Sequence, residues 1–322
     1  MEAATASAGR ADGLGRTRHL LDRIGDRGLY VLTGFAAFLS VALVVGIAWQ
    51  VVAKALPAIR HFGIGFVWHS TWNPVTDVYG AREYIIGTLV TAFGAVVIAA
   101  PLSIAIGLFL SELAPPSVSG PVGSLVDMLA AVPSVVIGLW GIYVLLPVVH
   151  DDFEPWLHDV LGWIPLFGTP SPAGVLPAML VLAIMATPII SSICRELFVS
   201  VPNDLEEAAT GLGATRWGMV KGVVIPSAKG GVVAAIILGL GRALGEAIAV
   251  TQVIGNFIPL SRTLFAPGDT IASRVANQYS SQITPLSTAS LIYLGLILLV
   301  ITFTTNFVAQ RIVHRFDRQR LG

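Results

Sequence analysis

EAATGLGATRWGMVKGVVIP, residues 207–226, is the stretch on which the reading of this chain turns. It is polar, basic and punctuated by glycine, and it lies between two long apolar segments. Pro202, Asn203 and Asp204 read as a helix start, with Glu206 and Glu207 in the first turn, where free backbone N–H groups favour acidic side chains. Gly211 and Gly213 end that helix. Thr215 is placed to cap a second short helix, RWGMVKGVV, which Pro226 stops. Two short helices around a glycine make a compact knob.

The rest of the chain places this knob against a membrane. Of 322 residues 55% are hydrophobic and 12% charged, where a soluble domain carries about 25% charged residues. Apolar runs long enough to cross a bilayer recur, and in hydrocarbon such runs must be helical to satisfy their own backbone groups. Six spans are expected: 29–53, 84–111, 123–148, 174–195, 227–256 and 288–310. Residues 1–27 form a polar arm without a small-residue cleavage site, so no cleaved leader is expected. Residues 28–315 form one transmembrane domain with its loop at 200–226, and 316–322 a short tail. Cys194, the single cysteine, excludes an internal disulfide and reads as a buried small residue.

Basic residues orient the spans. The arm, the loop between spans four and five (Arg195, Arg216, Lys221 and Lys229) and the tail gather thirteen Lys and Arg on one side, against five on the other. Both termini and the knob are therefore expected in the cytoplasm. Trp49, Trp68, Trp72, Tyr79 and Tyr84 crowd the outer end of the first hairpin, as an interfacial belt would, and Asp269 is placed to cap a short outer helix beginning TIASRV.

The fifth span reads VVAAIILGLGRALGEAIAVTQVIGN. Arg242 and Glu246 lie four apart and so share one helix face. Each charge at mid-bilayer costs about 2.5–3.5 kcal/mol on insertion scales. A self-neutralising structural pair is one reading. An anion route is the other, because the guanidinium fork matches phosphate oxygens and Glu246 can hold Arg242 while no anion is present. Gly241 and Gly245 give the small-residue spacing of a close helix interface. Thr251, Gln252 and Asn256 continue the polar character outward. One arginine does not balance a phosphate of about one to two charges, so a second cation from a partner subunit is expected. In span three, Pro133 should kink the helix, and Ser134 then lines a cavity or merely packs at the kink.

Three segments carry a resemblance. Glu207-Ala208-Ala209, three residues, Gly213, nine residues and Val223-Val224-Ile225-Pro226 resemble the EAA signature of ABC importer permeases, with Val and Ile in place of its Ile and Leu. Together with LAAVPSVVIGLWGIYVLLP (129–147) and GRALGEAIAVTQVIGN (241–256), this loop is similar to the PstC-type permease subunits of the phosphate-specific importer, over roughly residues 28–315. The resemblance implies an all-α type I permease fold in the cell membrane, with a cytoplasmic coupling helix. It implies that Glu207, Ala208, Ala209, Gly213, Arg216 and Pro226 couple the spans to an ATPase. It implies that Arg242 and Glu246 lie along the substrate pathway, and the polar Thr251, Gln252, Asn256 and Ser134 are expected to continue that pathway. The implied partners are a PstA-like permease, a PstB-like ATPase dimer, a PstS-like receptor, phosphate and membrane lipid, with no nucleic acid.

Other functions lack their signatures. There is no G-x-x-x-x-G-K-[ST], so ATP and Mg are expected on a partner and no cofactor on this chain. H-E-x-x-H and G-x-S-x-G are absent too, which leaves a transporter rather than an enzyme. A sulfate or molybdate permease and an ATP-independent secondary transporter stay open as alternatives.

Overall fold

The computed structural model describes residues 2–258, 261–282 and 284–318, with the side chains of residues 2–25, 312 and 314–318 left aside. Most of the basic side chains of the arm and of the tail therefore lie outside the described residues. Two units are distinguished, the first ending at Ala53 and the second running from Lys54.

Among the described residues the regular structure is helical, with two isolated β-bridges, Asn73 to Val78 and Gly255 to Gly268. Helix α1 is Glu2–Phe62, longer than the expected first span, and is followed by a 3-10 turn at Gly63–Val67. Helix α2 is Arg82–Leu108 and closes in a π-helical turn at Phe109–Leu113. Helices α3 (Pro116–Ala130) and α4 (Ser134–Trp140) replace the continuous third span. Pro133 interrupts it outright, because its ring excludes the donor and the space an uninterrupted helix needs. The run from α4 goes on through α5 (Leu146–Val148) to α6 (Glu154–Leu161), with π-helical turns between. Helix α7 is Val175–Val199, α8 Asn203–Gly211, α9 Arg216–Met219 and α10 Ile225–Gly245. Helices α11 (Ile248–Val253), α12 (Ile271–Gln278) and α13 (Pro285–Arg318) complete the order. Among the described residues six helical stretches are long and apolar enough to cross a membrane: Asp26–Val67, Arg82–Leu113, Ser134–Leu161, Val175–Val199, Arg216–Gly245 and Pro285–Arg311.

In the second unit, α7 is the central helix, packed on α2 and α10. Small residues make this possible. Ala92, Ala95 and Ala99 of α2 are fully buried with Ala178 of α7 and Ala235 of α10 in one cluster. Without a hydrophobic drive between helices in lipid, such close approach is what yields packing energy. Gly239 belongs to the same logic, since a Cβ there would press on Ile190.

Two local expectations are corrected. Pro226 does not stop a helix. It falls in the first turn of α10, directly after a π-helical turn at Val220–Val224 whose wider winding accommodates the missing donor. Of the five aromatic residues expected at an interface, Trp49 and Trp68 are exposed, but Trp72, Tyr79 and Tyr84 are buried in a second core. There Phe66 stacks on Tyr293 at 4.6 Å, and Trp72 meets Tyr79 edge-on at 4.9 Å. An amphipathic ring suits either setting, and the folded 63–81 segment supplies a wall to pack on.

Candidate functional site

The knob is built by its end caps. Helix α8 closes in a Schellman turn, in which Ala214 N–H donates to Ala209 carbonyl at 3.1 Å and Gly213 N–H to Thr210 carbonyl at 2.9 Å. Gly213 sits at φ +89, a conformation that L-residues adopt at a cost. Thr215 then caps α9, accepting from Gly218 N–H at 3.1 Å, as its position in the sequence predicts. Glu207 and Ala208 are exposed, Ala209 is half-buried against the core, and Arg216 and Pro226 are exposed. Leu212 is 91% exposed and Trp217 67%, so a polar loop presents two large apolar side chains. Both stand in the 207–226 stretch, where neither the charge pattern nor the glycine spacing marks them. Glu207 and Arg216 line one groove with Glu112, Glu206 and Thr210. Burial, and then the nearby Glu112 charge, raise the Glu206 carboxyl above its ordinary range.

The fifth span is not continuous. Helix α10 ends at Gly245, and Glu246 takes an extended ψ of 121. Its Oε1 then accepts from Ala249 N–H at 3.3 Å, so it caps the first turn of α11. The shared helix face expected for Arg242 and Glu246 is thus replaced by a joint. Arg195 pairs with Asp127 at 3.9 Å and Arg274 with Asp269 at 3.6 Å, and Arg242 joins neither pair. Arg242 is exposed and Glu246 half-buried, yet both border one groove of about 570 Å³ with Ile189, Leu238, Gly241 and Gly245. Thr302 and Asn306 of α13 complete its lining.

The remaining predicted pathway residues lie elsewhere. Thr251 and Asn256 join Ser273 of α12: Thr251 Oγ1 is 2.9 Å from Ser273 Oγ, which donates to Asn256 Oδ1 at 2.8 Å. Asn256 adopts φ +52, which asparagine tolerates, and its Nδ2 donates to Thr251 carbonyl at 2.7 Å. These two residues tie α11 to α12. Gln252 is half-buried with its Oε1 lacking a partner, and it faces Gly138 of α4, where a Cβ would collide with it. Ser134 is half-buried at the start of α4.

A second polar cluster escaped the sequence reading. Asp269 is buried, pairs with Arg274, and accepts from Thr270 N–H at 2.8 Å. Thr270, not Asp269, caps α12, accepting from Ser273 N–H at 3.2 Å. Both residues can cap, and Asp269 is engaged by the guanidinium. Arg274 lies 5.3 Å from the Trp72 ring centre and 5.4 Å from that of Tyr84. Burial pushes the Asp269 carboxyl up to about 6, against the pull of Arg274.

Six membrane-capable helices, a knob between the fourth and fifth, and a groove bordered by Arg242 and Glu246 at a broken span are the features of a multi-pass permease of the ABC importer type. The fold is that of the MetNI methionine ABC transporter in inward facing conformations, at TM-score 0.53 and 17% identity, covering 76% of this chain and 99% of that one. A bacterial ABC transporter involved in alginate import matches at TM-score 0.50 and 17% identity, over 83% and 97% of the two chains. The chain belongs to the family of binding-protein-dependent transport system inner membrane components, matched over residues 99–319, and within it to the PstC permeases. It is 41% identical over 292 residues to the phosphate transport system permease protein PstC of Pasteurella multocida, covering 89% of this chain and 91% of the relative. PstC of Xylella fastidiosa is 42% identical over 294 residues, 90% of each chain. PstC 2 of Mycobacterium tuberculosis is 38% identical over 300 residues, 90% and 92% of the two.

Proposed function

We propose that this chain is a permease subunit of an ATP-driven importer that moves inorganic phosphate into the cytoplasm. The observation that carries this reading is the likeness to PstC permeases along nine-tenths of both chains. The groove at Arg242 supports it, since a guanidinium at a broken span is what an oxyanion route requires. Both termini and the knob face the cytoplasm, following the basic residues. A PstA-like permease covers the exposed Arg242 face and supplies a second cation. A PstS-like receptor delivers phosphate outside.

The chain carries no ATP-binding motif, so a PstB-like ATPase dimer binds ATP and Mg. The knob docks there through Ala208, Leu212 and Trp217, with Glu207 and Arg216 beside them. Closure of the ATPase pushes on α8. The Schellman turn and the cap of Thr215 keep α8 and α9 rigid, so the push reaches α10 and opens the groove inward. Arg242 attracts the anion, while Glu246, held in the joint by Ala249 N–H, keeps the net charge near it low between passages.

The test is uptake of radiolabelled phosphate into vesicles holding the reconstituted complex. Uptake that requires ATP on the knob side and persists in excess sulfate is expected. ATP-independent uptake points instead to a secondary transporter, and suppression by sulfate to a permease for another oxyanion.

A further inference from the structure

We infer that Asn306 and Thr302 of the last helix complete an oxyanion station with Arg242, contacting the phosphate oxygens that the guanidinium leaves free. The inference rests on the reading of Arg242 as part of the phosphate route. Four observations carry it.

Thr302 and Asn306 border the same groove of about 570 Å³ as Arg242 and Glu246. They lie four apart on α13 and so present one face toward α10, against which α13 packs. Both are half-buried, and neither forms a hydrogen bond among the described residues. Gly241 brings the two helices close there: a Cβ on it would stand 3.7 Å from Asn306 Oδ1, next to the residue that carries the guanidinium.

The chemistry fits a phosphate better than a packing role. Polar side chains inside a span face the bundle or a water-filled route, and they find partners there. A guanidinium holds two oxygens of a tetrahedral anion through its fork. The other oxygens need separate donors, and the Asn306 amide and Thr302 hydroxyl supply them. An amide also accepts, so Asn306 meets a protonated phosphate oxygen as readily as a bare one. Asn306 therefore serves either ionisation state of phosphate, which a second arginine does not.

The experiment compares Asn306→Asp, Asn306→Ala, Thr302→Val, Thr302→Ser and Arg242→Gln in the assembled transporter. Phosphate uptake against concentration and receptor-stimulated ATP hydrolysis are read for each, and assembly is checked by co-purification. Asn306→Asp is expected to lower uptake about tenfold or more, the loss of a hydrogen bond to an anion being compounded by repulsion. Thr302→Val raises the concentration for half-maximal uptake several-fold, and Thr302→Ser restores it. Stimulated hydrolysis persists in all of these, because the knob is untouched. Wild-type uptake by Asn306→Asp and Thr302→Val, with Arg242→Gln inactive, overturns the inference and leaves the reading of Arg242 standing. Wild-type uptake by Arg242→Gln overturns that reading, and this inference with it. Thr302→Val is nearly isosteric, so its kinetics decide the matter by themselves if the Asn306 variants do not assemble.

Discussion

Replacing Gly213 separates turn geometry from every other property of the knob. Beyond its own chain neighbours, no described atom lies within 4 Å of a Cβ built on this residue, so a side chain meets no obstruction. The entire cost is conformational and comes from holding φ at +89. An L-residue in the left-handed region costs about 1–2 kcal/mol, with asparagine at the low end and β-branched residues at or above the high end. Gly213→Asn should therefore cost under about 1 kcal/mol, Gly213→Ala about 1, and Gly213→Val about 2 or more. A change of 2 kcal/mol shifts the ratio of the native turn to its alternatives by about thirtyfold. The two Schellman hydrogen bonds at 2.9 and 3.1 Å then no longer fix where α8 meets α9. The assay is phosphate transported per ATP hydrolysed in the assembled complex. The expected order is Gly and Asn above Ala, and Ala above Val. If Gly213→Val couples as tightly as wild type, the rigid turn is not what transmits the push.

Two further expectations concern stability. Asp269 is raised from 3.8 to about 6 in the folded protein, so the folded state holds a proton there that the unfolded chain has released between those pH values. Stability from this group is full below about pH 4 and is lost as pH rises through about 6, a loss of about 3 kcal/mol. Thermal unfolding in detergent should show Asp269→Asn abolishing this part of the pH dependence, and an unchanged profile in the variant would refute it. Gly87→Ala drives a Cβ into the Asp269 carbonyl oxygen, which should cost about 1–3 kcal/mol and lower the melting temperature. A melting temperature equal to that of wild type would show that α2 and this loop do not pack as described.

Hydropathy made the six spans legible, and the glycine-punctuated stretch made the knob legible, because both follow from period and turn chemistry that act locally. Pro133 announced a disturbance, though not that the helix would stop. The break at Glu246 was hidden, since GEAIAV has no helix breaker after Gly245 and only the capping bond to Ala249 N–H reveals it. Thr251 and Asn256 are expected on the pathway for their polarity, and polarity does not reveal their hydrogen-bond partner Ser273, which is distant in sequence. Thr302 and Asn306 went unnoticed because their meaning depends on which face of α13 meets α10. The Asp269–Arg274 cluster was illegible for a similar reason: Trp72 and Tyr84 approach it from far along the chain.

The most direct test of the central claim is phosphate uptake by Arg242→Gln in vesicles that hold the whole assembled transporter, with receptor-stimulated ATP hydrolysis measured in parallel. The account predicts that uptake falls by about a hundredfold or more while hydrolysis continues, because a charged partner of the anion is lost and the knob is not. Uptake at the wild-type rate would contradict it.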